Sequence, residues 1–216
     1  MKTSFAIALC ASVASIAAAA VVPRGHGELT YAGHVDVETL KWHRGPGRTN
    51  WGYIAFDYRK DEQGRPIATT TDKDCKSAAT KFEFVRVSTT DGSPGYMGRG
   101  DGKLGGGGEA VGHLRLHDDN SKCLTVATLD CDQSNLVLDD CSLEDGPVQR
   151  RQMFVATMPN RMYLGLIAGT QEEIDAHKTK GGHLTINEHE DGKPFQISFT
   201  QKKSTHNIAW GGNSVM

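Results

Sequence analysis

Short runs in which apolar and polar residues alternate, each closed by Gly, Asp, Asn or Pro, set the tightest limit on this fold. Phe82-Glu83-Phe84-Val85-Arg86-Val87, His113-Leu114-Arg115-Leu116 and Leu136-Val137-Leu138 are examples. Alternation over four to eight residues between turn residues is the pattern of half-buried strands. Helical periodicity is scarce, and one short helix is expected over Thr170 to Lys178, where Gln171, Glu172, Glu173 and Ala176 favour it. Gly105 to Gly108 form a flexible loop, because four consecutive glycines lose too much entropy inside a strand. An all-β fold is expected.

Three elements recur along the chain. A Gly-His strand occurs at Gly33-His34-Val35-Asp36-Val37, Gly112-His113-Leu114-Arg115-Leu116 and Gly182-His183-Leu184-Thr185-Ile186. An aromatic closing strand occurs at Phe82 to Val85, Gln152 to Val155 and Phe195 to Phe199, and Tyr-x-Gly occurs at Tyr31, Tyr96 and Tyr163. In each Gly-His strand the His and the middle residue point away from the two apolar residues. A threefold all-β repeat of this size suggests a β-trefoil of three pseudo-repeats, a short barrel capped by hairpins. The expected organisation is a cleaved signal peptide over 1–20, a short segment over 21–27, the trefoil over 28–203 and a tail over 204–216.

The leader rests on Lys2, the apolar stretch from Phe5 through Ile16, and the small residues Ala18-Ala19-Ala20. It is too short and Ala-rich for a membrane anchor, so a secreted, extracellular protein is expected. The chain carries 24 basic and 26 acidic residues. That balance gives no basic footprint for nucleic acid and no attraction to a membrane surface. No Asn-x-Ser/Thr sequon occurs. Of five cysteines, Cys10 falls in the leader; Cys75, Cys123, Cys131 and Cys141 then allow two bridges in any of three connectivities. Without a Cys-x-x-Cys pair, zinc is disfavoured, and neither metal nor cofactor is expected.

The middle copy resembles one lobe of the ricin-type β-trefoil (ricin B-like lectin) family. The resemblance lies in Lys122-Cys123-Leu124-Thr125-Val126, Asn135-Leu136-Val137-Leu138-Asp139-Asp140-Cys141 and Arg151-Gln152-Met153-Phe154, and is clear only over residues 112–157. It implies a Cys123–Cys141 bridge within the lobe, which leaves Cys75 to pair with Cys131. Such lobes bind sugar through an Asp after Cys-Leu, an aromatic platform before the second Cys, and an Asn before Gln-x-Trp. The nearest positions here hold Thr125, Asp139 and Arg151; with Asn135 and Gln152 they form the candidate ligand-binding set. Asp139 offers no apolar face to a pyranose ring. The lobe is therefore expected to keep the scaffold and lose the family's galactose site, with Phe154 filling the core.

Other motifs carry less. His113 and His117 share a strand face but stand too far apart to chelate one ion unaided, so solvent-facing histidines are expected. Arg99-Gly100-Asp101 reads as a flexible turn. There is no Gly-x-Ser-x-Gly elbow, and neighbouring acids on one strand point to opposite faces. No residue set takes catalytic roles. The expected function is a secreted, non-catalytic, lectin-like protein whose partner is a glycan. The alternatives are a β-trefoil protease inhibitor, presenting Arg44 to Arg48 or the 99–109 loop to a protein target, or a secreted microbial host-interaction protein.

Overall fold

Where the sequence alternates, the chain is extended. The computed structural model describes residues 29–44, 50–89, 109–144, 146–157, 165–166, 182–187, 196–202 and 206–210. Its strands are β1 (Leu29–Arg44), β2 (Asn50–Lys60), β3 (Pro66–Asp72), β4 (Lys81–Thr89), β5 (Glu109–Leu116) and β6 (Asp119–Val126). They continue as β7 (Ser134–Asp140), β8 (Phe154–Thr157), β9 (Gly165–Leu166), β10 (Gly182–Asn187), β11 (Gln196–Thr200) and β12 (His206–Trp210). Among the described residues, helix is confined to a 3-10 turn at Lys76–Ala78 and one short turn, α1 (Pro147–Arg150). Pro147 sits in that first turn, where a missing N–H removes no intrahelical bond. The fold is all-β.

The sheet closes on itself. From β5 through β4, β1, β2, β3, β11, β7 and β6, each strand is bonded to the next, and β6 returns to β5, giving a closed eight-strand barrel. Closure leaves no open edge along that circuit. Outside it, β8 pairs with β5 and β9, β9 with β10, and β10 with β11. β3, β7 and β11 pair mutually, through Ile67↔Val137, Gln196↔Thr69 and Ser198↔Asn135. β12 lies beside β1, from Leu40↔Trp210 to Arg44↔His206.

Alternation explains the core. Phe82 and Phe84 of β4, Leu114 of β5, Leu124 of β6, Leu136 of β7 and Phe199 of β11 are fully buried in one cluster. Each such side chain contributes about 1.5–3 kcal/mol by leaving water. Phe154 joins them. The opposite face of β4 is also covered: Val87 packs with Met153, and Tyr31 and Leu143 lie against the pair. Gly112 allows the close approach of β5 to β4, since a Cβ there would stand 2.0 Å from the Val85 carbonyl oxygen.

Three expectations are corrected. The first two Gly-His strands lie in β1 and β5, each paired with its closing strand, β4 or β8, across an intervening hairpin. The third lies in β10 and pairs directly with β11, so the third sequence copy is displaced by one strand. The span 204–216 is not merely a tail, because it contains β12, whose Ile208 is buried in the core. The β12 sequence, His206-Asn207-Ile208-Ala209-Trp210, does not alternate, so the pattern does not mark it as a strand. Finally, Cys123 and Cys141 are bridged, whereas Cys75 and Cys131 are free and exposed.

β10 occupies one edge of β11 along its length, so β3 and β7 share the other edge and also pair with each other at Ile67↔Val137. The expected helix over Thr170 to Lys178, the Gly105 to Gly108 loop, Arg99 to Asp101 and the leader lie outside the described residues. Alkylation of the native, non-reduced protein should label Cys75 and Cys131, and peptide mapping should recover Cys123 joined to Cys141. A Cys75–Cys131 peptide would overturn this arrangement.

Candidate functional site

The candidate residues of the middle lobe are set by the β6–β7 hairpin and the segment returning from Cys141 to β8. Cys123 stands opposite Asp139 in the hairpin register, and the Cys123–Cys141 bridge ties the return segment to β6. Gln152 completes the tie. Its amide NH2 donates to Thr125 Oγ1 at 3.0 Å and to the Asp140 carbonyl at 2.7 Å, while its carbonyl accepts from the Ser142 N–H at 2.9 Å. The clasp therefore grips the chain on both sides of Cys141. Thr125 and Gln152 are both fully buried, so neither is presented to a soluble ligand.

The other three candidates are also engaged. Arg151 Nη1 donates to the Ala127 carbonyl at 2.5 Å and Nε to the Pro147 carbonyl at 3.2 Å. Burial, then the nearby Arg65, pushes the Arg151 guanidinium below its usual range, with Asp139 opposing. Asp139 pairs with Arg65 Nη1 at 2.9 Å, and Arg65 Nη2 reaches Asp61 at 2.7 Å. Asn135 accepts from the Gln196 side chain, farther along β7 where β11 crosses. The structure thus brings Thr125 and Gln152 together, links Asp139 with Arg65 beside Arg151, and leaves Asn135 apart. Among the described residues these contacts brace the lobe.

Sequence reading missed a second cluster, on the covered face of β1, β4 and β5. His113 is fully buried, correcting the expectation that it faces solvent; His117 is exposed as expected. Tyr31 explains the difference. Its hydroxyl lies 3.0 Å from His113 Nδ1, its ring meets the imidazole edge-on at 5.6 Å, and it packs against Val87 and Met153. The Arg115 guanidinium lies 4.9 Å from the Tyr31 ring centre and pairs with Glu83 at 3.0 Å. Glu83 also meets His117 Nδ1 at 3.0 Å. That hydrogen bond from His117, then Arg115, holds the Glu83 carboxyl below its ordinary range against the opposing effect of burial. His113 Nε2 and Arg115 Nε are buried with no hydrogen-bond partner among the described residues. Alternation alone signals that His113, Arg115 and His117 share a face, but only strand pairing adds Tyr31 and Glu83.

Among the described residues no group of three His, Cys, Asp or Glu side chains is placed to hold a metal, and no helix is long and apolar enough to cross a membrane. No family model matches the chain, and no curated protein matches it.

Gln152→Ala leaves the Thr125 hydroxyl, the Asp140 carbonyl and the Ser142 N–H without their partner, and should cost about 2–4 kcal/mol in urea unfolding with the disulfide intact. Burial, then Arg115, pushes the His113 imidazole down to about 4 from an ordinary 6.5. The unfolded chain therefore takes up this proton first as pH falls. Stability should decline from pH 6.5 to about 4, by roughly 3 kcal/mol at most, and this contribution is flat outside that window. Asp132 acts lower: the Thr200 hydrogen bond, then Lys202, holds it at about 2, so its contribution is lost between 3.8 and 2. Unfolding of His113→Gln at pH 7, 5.5 and 4 should lack most of the upper decline. An unchanged decline would assign it elsewhere.

Proposed function

We propose that this chain is a secreted, non-catalytic β-trefoil that binds carbohydrate. The observation that carries the reading is a strand pairing that recurs at every fourth strand. β1–β2, β5–β6 and β9–β10 pair; so do β2–β3, β6–β7 and β10–β11. β4–β5, β8–β9 and β12–β1 follow the same step, as do β1–β4 and β5–β8. The last set would be completed by β9 with β12, which are not paired among the described residues; β9 is two residues long. The mutual pairing of β3, β7 and β11 is what three hairpins make when they cap one end of a barrel.

The middle lobe supports the ricin-type resemblance at the level of scaffold. Its bridge joins Cys123 to Cys141, Gln152 clasps the bridged segment, and Phe154 fills the core. The leader-like N-terminus and the disulfide support export to an oxidising compartment. The trefoil lends itself to binding through surface loops.

A screen of the chain from Val21 onward against a glycan array and insoluble cell-wall polysaccharides tests the reading. Saturable binding that a soluble sugar competes away is expected. Absence of binding across both panels, with inhibition of a serine or cysteine protease in its place, would replace the lectin reading with the inhibitor one.

A further inference from the structure

One feature of β2 stands outside everything assigned above. Trp42 of β1 pairs with Gly52 and His43 with Asn50, so Trp51 is an extra residue with no partner on β1. Such a bulge re-aims a side chain away from the alternation of its strand. Trp51 is the one large hydrophobic side chain exposed among the described residues, at 46 %. Its ring lies 6.0 Å from that of Trp42, tilted by 35°, and Trp42 is itself in the core. Gly52 makes room for this, since a Cβ there would stand 2.5 Å from the Trp42 indole nitrogen and 2.0 Å from the Thr71 carbonyl oxygen. The outer indole is thus backed by a buried one, which holds a flat apolar surface at the protein boundary.

Its surroundings are polar. Asn50 Oδ1 accepts from the Gly52 N–H at 3.1 Å, and its amide NH2 has no partner among the described residues. Asp72, opposite Gly52 across the β2–β3 ladder, is exposed and makes no ion pair among the described residues. Thr71 and Lys73 flank it along the chain. Protein–protein docking favours a contiguous apolar patch of several hundred Å², and among the described residues Trp51 is a single exposed indole, not such a patch. It matches a pyranose ring, which offers a C–H face for stacking and hydroxyls around its rim.

We infer that the bulged Trp51, backed by Trp42 and flanked by Asn50 and Asp72, is a stacking platform for one ring of a β-linked, gluco-configured oligosaccharide. The equatorial hydroxyls of such a ring leave C–H faces free above and below. This inference rests on the carbohydrate reading and places the contact in the first lobe, away from the braced residues of the middle one.

The test uses soluble cellohexaose, laminarihexaose and chitohexaose as probes, with wild-type protein, Trp51→Ala and Trp51→Phe, their folds checked by circular dichroism. Affinity should fall roughly 10- to 100-fold in Trp51→Ala and be largely retained in Trp51→Phe. In the wild type, bound oligosaccharide should shield an exposed tryptophan from acrylamide quenching, a readout that needs no variant. Binding without shielding, or binding unchanged in folded Trp51→Ala, would overturn the platform and leave the carbohydrate reading standing. Wild type that binds none of these probes but binds another glycan on the array would overturn the sugar class alone. Binding to no glycan at all would remove both.

Discussion

Everything in this fold hangs on the demand that each strand find a neighbour on both sides. A twisted antiparallel sheet meets it by closing, and here closure is secured where β11 seats itself against both β3 and β7. That junction fixes how the three hairpins approach one another, and so which side chains meet in the barrel. Phe82, Phe84, Leu114 and Phe199 then fill the interior because their strands are already aimed at it. Cys123–Cys141 is the single covalent tie among the described cysteines. A bridge across the sequence separation of 18 from Cys123 to Cys141 is worth about 3 kcal/mol in the chain-entropy model. The tie therefore reinforces one lobe and leaves the others to packing.

The segment around the Cys123–Cys141 bridge is a brace. A buried amide with both N–H groups and its oxygen bonded, as Gln152 has, is stabilising because none of its polar atoms is stranded. The same saturation means that nothing is left to offer a ligand. Arg151 and Asp139 tell a similar story nearer the surface, their charges spent on backbone carbonyls and on Arg65. By contrast, the Tyr31 and His113 pair is incompletely satisfied, since Nε2 is enclosed without a partner among the described residues. It is a site of local cost, tolerated while the imidazole is neutral.

Strand identity was legible in the sequence wherever alternation ran for several residues, as in Phe82 to Val87 and His113 to Leu116. It was not legible in β9, which has two residues, or in β12, where His206-Asn207-Ile208-Ala209-Trp210 does not alternate. The inward direction of Leu114 and the outward direction of His113 follow from the pleat, but the burial of His113 does not. That depends on Tyr31, 82 residues away, packing over it. The Cys123–Cys141 bridge followed from a resemblance and Cys75–Cys131 only from what remained, and only the first had a physical cause behind it. Trp51 escaped notice for a comparable reason: a bulge is a property of two strands, and Asn50-Trp51-Gly52 alone does not announce it.

The pairing of β12 with β1 bears on how the chain is made as well as how it rests. Past Thr39, where β4 leaves off, one edge of β1 is held by β12 and the other by β2. During synthesis that edge stays open until residues 206–210 have emerged, long after β1 and β2 could have met. Contacts of such sequence separation form slowly, and an open strand edge invites foreign pairing in the meantime. The growing chain must therefore wait, with Leu40 and Trp42 uncovered on one side, for its last described strand to pair with β1.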